Sequence, residues 1–197
     1  MRIQSFVRAG EITEICGRLS SGRTSLLISA LRRATRAGAA AALVDADDAF
    51  DALGAARAGV DLSRVLWVRC GRRRDLALRA VDLLARCPGF AVVAVDFGEL
   101  APRLSLSTAF RLRLAVRRSR VALVVLSSRR IAGAGAALAV ETVQANVDWA
   151  GPARAVTRLT RLRARVSIVR ARTSPVPSPI EMAWWCEVSD GRAARFA

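Results

Sequence analysis

Short apolar runs alternate with amphipathic segments along the chain as far as Ser127. The runs are rich in valine, leucine, isoleucine and alanine, which is typical of strands buried on both faces. The segments between them repeat apolar residues at helical spacing. This alternation predicts an α/β fold with a mainly parallel central sheet and helices on both faces. The predicted strands are residues 12–16, 41–44, 65–68, 90–96 and 121–126, and the predicted helices are 23–37, 50–58, 75–85 and 108–118.

The pattern changes after Ser127. Residues 128–135 form a basic, glycine-containing loop, and strand-like sequence then replaces the helical repeats, in 156–172 and again in 182–188. The proline-rich connection 173–179 cannot be helical. We therefore expect antiparallel strands at the C-terminal edge of the sheet. We interpret residues 1–197 as a single domain, with a short N-terminal arm at 1–9 and a flexible tail at 192–197.

Composition adds a strong positive charge to this picture. The formal net charge is +16, and all 32 basic residues are arginine. Such a balance favours negatively charged partners, with nucleic acid first. The chain has no histidine, and its four cysteines lack C-x-x-C spacing, so no metal site is predicted. It also lacks a signal peptide and any run of about 18 uncharged apolar residues, so we expect a cytoplasmic, nucleoid-associated protein that does not contact membranes.

Residues 17–24 match the phosphate-loop pattern G-x-x-x-x-G-K-[ST] except that Arg23 replaces the lysine. In such a loop backbone N–H groups surround phosphate oxygens at a helix N-terminus. Arginine presents a planar fork and cannot act as a compact point charge. Two interpretations stay open, which are weak ATP and Mg²⁺ binding or a vestigial loop retained for its turn. The candidate nucleotide-binding residues are Gly17, Ser20, Ser21, Gly22, Arg23, Thr24, Ser25 and Asp96, the last ending an apolar run as in a Walker B strand.

In the order of these landmarks the chain resembles the ATPase core of the RecA recombinase family. Residues 10–24 resemble its first strand and phosphate loop, 42–51 its second strand and catalytic acid segment, and 59–66 and 92–100 continue the match. The resemblance implies a RecA-like P-loop core. It also implies that Asp47 stands where the family has a catalytic glutamate, one methylene too short to position water. We therefore expect a degenerate ATPase that is not an enzyme and requires no cofactor.

The resemblance carries one further pair of residues. Arg170 and Arg172 match two basic residues that, in the family, reach the nucleotide across a subunit interface. They are the candidate trans-acting pair.

A short, basic RecA core that has lost catalytic residues is similar to the ImuA family. That similarity implies a non-catalytic accessory protein in SOS mutagenesis, the translesion synthesis that follows DNA damage. The implied partners are an ImuB-like Y-family polymerase homologue, RecA and an error-prone C-family polymerase. Two alternatives stay open. One is a weak DNA-dependent ATPase or recombination mediator, and the other is a SulA-like cell-division inhibitor.

Arginines in the second half of the chain are the candidate DNA contacts. Phosphate contacts of this kind bind DNA without sequence preference, although a solvated charged face is the ordinary alternative. The candidates are Arg129, Arg130, Arg158, Arg161, Arg163 and Arg165.

Two adjacent tryptophans, Trp184 and Trp185, are the candidate partner contacts. Strand alternation places one inside and one outside, and the outward one is the better interface residue.

Three aspartates, Asp45, Asp47 and Asp48, follow the second predicted strand, and we expect one of them to cap the next helix.

Overall fold

A computed structural model describes residues 6–150, 158–172 and 179–185, with the backbone alone for Arg158 and Trp185. The helices are α1 (Arg23–Arg36), α2 (Ala52–Arg57), α3 (Arg74–Leu84) and α4 (Leu106–Ser119). The strands are β1 (Ile12–Cys16), β2 (Ala40–Asp45), β3 (Val65–Arg69), β4 (Phe90–Asp96), β5 (Ala122–Ser127), β6 (Leu138–Ala150), β7 (Arg158–Ala171) and β8 (Ile180–Trp185). Single 3₁₀ turns lie at Leu62–Arg64 and Gly133–Gly135.

The strands form one eight-stranded sheet in the order β3-β2-β4-β5-β1-β6-β7-β8. Strands β1 to β5 pair in parallel, and β6 pairs in parallel with β1. The pairs β6–β7 and β7–β8 are antiparallel. The predicted fold class, a mainly parallel sheet with antiparallel strands at its C-terminal edge, is therefore confirmed.

Two apolar cores lie on opposite faces of the sheet. Leu31 of α1 and Val124 of β5 belong to one core, and Val116 of α4 and Leu123 of β5 belong to the other. Every residue of β5 is buried, because a central parallel strand is covered by helices on both faces. Burying each such aliphatic side chain contributes roughly 1.5–3 kcal/mol.

Capping side chains set two helix starts that hydrophobic spacing did not locate. Helix α4 begins two residues earlier than predicted because the Ser105 Oγ accepts a 3.1 Å hydrogen bond from the Thr108 N–H. Helix α2 is capped by Asp51, whose Oδ1 accepts from the Gly54 N–H at 2.9 Å. The expectation that Asp45, Asp47 or Asp48 caps this helix is therefore wrong.

The strand register defines two edges that matter for function. Residues 13–16 of β1 pair with 138–141 of β6, so β6 continues past the end of β1. We call the side where the parallel strands end the carboxyl edge, and the opposite side the amino edge. The loops after β1, β2, β4 and β5 and the projecting part of the β6–β7 hairpin all lie at the carboxyl edge.

Some expectations concern residues at or beyond the ends of the segments that the structure describes. Phe6, within the predicted N-terminal arm, is only 4% exposed and packs in the core on the α1 side. Residues 1–5, the proposed tail at 192–197 and the end of the predicted strand at 186–188 lie outside the described residues. No helix in the described part of the chain is long and apolar enough to cross a membrane.

Candidate functional site

The segment from Gly17 to Gly22 forms a tight turn between β1 and α1 at the carboxyl edge. Gly22 is the N-cap of α1 and has φ +90°, a conformation that glycine adopts without steric cost. The backbone at Gly17 approaches β6 so closely that a Cβ there would collide with the Thr142 side chain. The predicted glycines therefore stand where the turn requires them.

The Arg23 side chain turns back onto this loop. It is 5% exposed, and its Nη1 donates a 2.5 Å hydrogen bond to the Gly17 carbonyl. The same nitrogen lies 2.8 Å from Oε1 of Glu99, in the loop after β4. A buried guanidinium is stable only when its charge is paired and its donors are satisfied. Glu99 and the loop itself supply these partners, so the charge that a phosphate would need is already neutralised.

Contacts from β6 and β8 hold the opposite side of the loop. The Ser21 and Thr142 hydroxyls lie 2.7 Å apart, and Thr142 Oγ1 donates to the Cys16 carbonyl at 3.1 Å. The Trp184 ring covers Gly22, where a Cβ would lie 2.8 Å from Trp184 Cζ3. The loop is therefore packed against the antiparallel end of the sheet, through β6 and β8.

The position of Trp184 corrects one expectation. It is 5% exposed and belongs to the core on the α1 side, so it is not a surface partner contact. The expectation that one of the two tryptophans points inward is met by Trp184. The Trp185 side chain lies outside the described residues, and its role as a partner contact stays a prediction.

The hydroxyls of the loop differ in access. Thr24 and Ser20 are exposed, and Ser25 is half-buried. Asp96, at the end of β4, accepts a 2.8 Å hydrogen bond from the Gly98 N–H through Oδ1. Burial raises the pKa of Asp96, with smaller contributions in the same direction from Asp45 and Asp47, and Arg23 opposes the shift. The charge of Arg23 thus acts on Asp96. The role of Asp96 in nucleotide binding stays a prediction.

Asp47, the residue at the catalytic glutamate position, forms an ion pair within its own chain. Its Oδ1 lies 2.5 Å from Nη2 of Arg74, at the start of α3. Arg74 also donates to the carbonyls of Ala46 at 3.1 Å and Leu100 at 3.0 Å. Both side chains of the pair are less than a quarter exposed. The carboxylate is therefore held toward α3.

Two glutamates at this edge were missed from the sequence. Glu99 lies three residues after Asp96, in the loop that follows the Walker B-like strand. An acid at this place could have been predicted to pair with a buried Arg23. Glu14 lies within β1 with no exposed surface, and its Oε1 accepts from the backbone N–H groups of Ile131 and Ala132. Its place in a strand predicted to be apolar was the only signal. Burial, followed by the charge of Glu14, raises the pKa of Cys16 to about 12.

The candidate DNA contacts are largely engaged by acceptors of the same chain. Arg161 and Arg163 of β7 lie 3.1 and 3.8 Å from Oδ2 of Asp148, and Arg165 lies 4.0 Å from Oε1 of Glu181. The loop arginines behave alike, since Arg129 donates to the Ala101 carbonyl at 3.0 Å and Arg130 lies 3.9 Å from Oε2 of Glu14. The Arg158 side chain lies outside the described residues. The register places both groups at the carboxyl edge, but on a face of mixed charge.

The candidate trans-acting pair lies at the amino edge, opposite the phosphate loop. Arg170 Nη1 donates to the Gly133 carbonyl at 2.8 Å. Arg172 Nη2 donates to the carbonyls of Ala134, Gly135 and Ala136 at 3.1, 3.3 and 3.0 Å. Within the chain these arginines therefore secure the 3₁₀ turn, and their reach to a nucleotide of another subunit stays a prediction.

Comparison with known proteins identifies the family and the fold of this chain. Residues 4–148 match the family model described as the RecA N-terminal domain. Protein RecA of Bacteroides thetaiotaomicron is 39% identical over 87 residues, which are 44% of this chain and 26% of that protein. Protein RecA of Thermus aquaticus is 40% identical over 87 residues, which are 44% of this chain and 25% of that protein.

These matches span about a quarter of the length of the RecA relatives. A crystal structure of the RadB recombinase covers 89% of this chain and 87% of its own, with a TM-score of 0.63 and 16% sequence identity, and is therefore similar in fold. Because the family model covers more than half of the chain, from the strand before the phosphate loop through most of β6, the chain belongs to the RecA N-terminal domain family.

Proposed function

We propose that this protein is a non-hydrolysing RecA-like accessory protein in the translesion synthesis that follows DNA damage. In this role it binds an ImuB-like polymerase homologue, RecA or both, acts together with an error-prone C-family polymerase, and contacts DNA without sequence preference. The observation that carries the proposal is the Arg23 guanidinium, which lies inside the phosphate loop and is paired with Glu99. The loop is thereby used as a structural element.

The fit of ATP and Mg²⁺ to these residues is poor. Exposed Thr24 and the loop N–H groups suit a phosphate and its metal ion. Arg23, however, would have to leave the Gly17 carbonyl and Glu99 before it could reach a phosphate. The Glu99 carboxylate would then face the phosphates with like charge. We infer that nucleotide binding is weak and that no step of the protein's function depends on it.

Water activation has a separate obstacle. A general base must lie within about 3 Å of the proton it removes. Asp47 is shorter than the glutamate it replaces, and Arg74 draws its carboxylate toward α3. Both requirements for turnover, a cation at the phosphates and a base near the water, therefore depend on side chains that are engaged elsewhere.

The second candidate is a slow DNA-dependent ATPase or recombination mediator. It is favoured by the exposed Thr24 hydroxyl and by Asp96 at the tip of β4. The two candidates are separated by phosphate release with and without single-stranded DNA, for the wild type and for Arg23→Lys/Asp47→Glu. The accessory role predicts negligible release from the wild type. Turnover of the wild type that DNA stimulates would overturn the accessory proposal in favour of the second candidate.

The role in mutagenesis needs its own experiment. In a strain that lacks this protein, the wild type and Thr24→Ala, which removes an exposed hydroxyl of the loop and leaves the Arg23–Glu99 pair in place, are compared for the frequency of ultraviolet-induced mutations. The proposal predicts that both restore induced mutation equally, because the loop's phosphate chemistry is not used.

Binding to the purified ImuB-like homologue is measured by calorimetry for the wild type and for Trp185→Ala, the remaining predicted partner contact. Failure of the wild type to bind this homologue would remove it from the partners.

A further inference from the structure

The 3₁₀ turn at the amino edge packs directly on α4. The Cβ position of Gly135 lies 2.9 Å from the Ala109 Cβ and 3.1 Å from the Ala109 carbonyl oxygen. Arg113 and Arg117 follow Ala109 at successive intervals of four residues, so the three form one stripe along the helix. The stripe that contacts the turn therefore continues as two arginines.

A second group of arginines approaches the same turn from β7. Arg170 and Arg172 donate to the carbonyls of residues 133–136, so both guanidinium groups lie against it. At the end of α4, Arg120 Nη1 lies 3.8 Å from the Cβ position of Gly10, and the Cα of Arg117 lies 3.7 Å from the same position. We name these residues the amino-edge cluster, which consists of Arg113, Arg117, Arg120, Arg170 and Arg172.

Like charges within the cluster act on Arg172. Burial lowers the pKa of Arg172, and the next largest cause is the like charge of Arg113, followed by Arg170. The carboxylate of Glu11 opposes this shift. Among the described residues, no carboxylate forms an ion pair with a member of the cluster. The arginines predicted to contact DNA differ in this respect, because Arg161, Arg163 and Arg165 each face an acid.

A concentration of like charge that the chain leaves uncompensated is expected to bind an anion with repeated negative charges. The arginines are distributed along a helix, a turn and a strand end, and guanidinium groups suit phosphate oxygens. The geometry points to the phosphate backbone of DNA as the ligand of the amino-edge cluster. This inference rests on the proposed function, which includes DNA contact, and moves the principal contact to the edge opposite the phosphate loop.

The test compares paired arginine replacements that remove equal charge. Arg113→Gln/Arg117→Gln removes two charges of the cluster from α4, where Arg113 is half-buried and Arg117 is exposed, and leaves Arg170 and Arg172 to secure the turn. The control Arg57→Gln/Arg79→Gln removes two exposed charges from α2 and α3. A third variant, Arg161→Gln/Arg163→Gln, removes two arginines at the carboxyl edge. Circular dichroism melts establish that each is folded.

Binding of fluorescent DNA of two unrelated sequences is measured by anisotropy across a salt series. Each phosphate contact contributes about −0.9 to the slope of log affinity against log salt on duplex DNA. We expect the cluster variant to bind about tenfold or more weakly at about 0.1 M salt, with a slope reduced by about 2. The control should bind within about twofold of the wild type.

Three outcomes would overturn the inference in distinguishable ways. If the cluster variant binds like the control while Arg161→Gln/Arg163→Gln loses affinity, DNA binds at the carboxyl edge and the proposed function stands. If the wild type binds no DNA even at low salt, the DNA contact in the proposed function fails as well. If ATP displaces DNA where sulfate of equal ionic strength does not, the cluster is a nucleotide site.

Discussion

The guanidinium of Arg23 and the carboxylate of Glu99 form a 2.8 Å ion pair that joins the loop after β1 to the loop after β4. The Arg23 side chain is 5% exposed and the Glu99 side chain is 39% exposed. The guanidinium end of the pair is therefore buried, and the carboxylate end is in contact with solvent. The pair places a negative charge beside the turn in which a nucleotide's phosphates would have to lie. Replacing Glu99 should therefore change nucleotide binding at the loop without changing any residue of the loop.

Glu99→Gln should strengthen nucleotide binding. The change removes the repulsion between the carboxylate and a phosphate and leaves Arg23 with the Gly17 carbonyl as its partner. We expect the Kd for a fluorescent ATP analogue to fall roughly tenfold, equivalent to about 1.4 kcal/mol. The control is Glu181→Gln, which neutralises an exposed acid 4.0 Å from Arg165. An unchanged Kd for Glu99→Gln would mean that the pair does not limit access to the loop.

Arg74→Met should destabilise the protein much more than the neighbouring change Arg73→Met. Arg74 pairs with Asp47 and donates to the carbonyls of Ala46 and Leu100, and its side chain is 19% exposed. Arg73 pairs with Asp75 where both side chains are more than 60% exposed. We expect losses of about 2 kcal/mol and about 0.5 kcal/mol in the free energy of unfolding.

Urea unfolding followed by circular dichroism measures both losses. Equal losses would show that the Arg74 network does not hold Asp47 toward α3. If Arg74→Met shows the larger loss, its phosphate release is compared with that of the wild type, because the replacement frees the Asp47 carboxylate from its ion pair.

The parts of the fold that were predictable depend on local pattern. Central strands such as β4 and β5 are continuous apolar runs because both faces are covered, and α1 repeats apolar residues at helical spacing, so periodicity alone located them. Helix starts that are set by one capping side chain, such as Ser105 before α4 and Asp51 before α2, could not be located from periodicity. Several polar residues near each predicted start could have served as the cap.

The contacts of the site depend on which loops become neighbours. In the sheet order β5 lies between β4 and β1, so the Arg23–Glu99 pair requires a topology that spacing does not encode. The same holds for Trp184, because alternation shows that one tryptophan points inward but not which one. The pairing of Trp184 with Leu162 of β7 decides that question by placing both on the α1 side.

The pKa of Asp96 predicts a pH-dependent effect of Asp96→Asn. Burial raises this pKa in the folded protein, so folding favours the protonated acid. The folded state then binds more protons than the unfolded state above the unfolded pKa of about 3.9, and stability falls as pH rises through the folded pKa. An asparagine carries no charge at any pH and keeps a carbonyl oxygen for the Gly98 N–H.

Asp96→Asn should therefore gain stability relative to the wild type as pH rises from about 4 to about 7. Urea unfolding of both proteins at several pH values within this window gives the difference directly. Asp75→Asn serves as the control. Desolvation raises the pKa of Asp75, but the Arg73 hydrogen bond and the other contacts outweigh it and lower this pKa. The stability that the Asp75 carboxylate contributes is therefore gained below the unfolded pKa of about 3.9, and the effect of its replacement should change little between about pH 4 and about pH 7. A difference for Asp96→Asn that is independent of pH would contradict the raised pKa.

Trp184→Ala should cost about 3–5 kcal/mol in the free energy of unfolding, as expected for removal of a large buried aromatic side chain. The ring is 5% exposed and covers Gly22 at the start of α1, so its removal opens a cavity beside the phosphate loop. Trp184→Phe should recover part of the loss because it restores part of the volume. The control is Trp149→Ala on β6, where the side chain is 59% exposed and the expected change is within about 0.5 kcal/mol. Similar losses for Trp184→Ala and Trp149→Ala in urea unfolding would contradict the core position of Trp184 and return it to the candidate partner contacts.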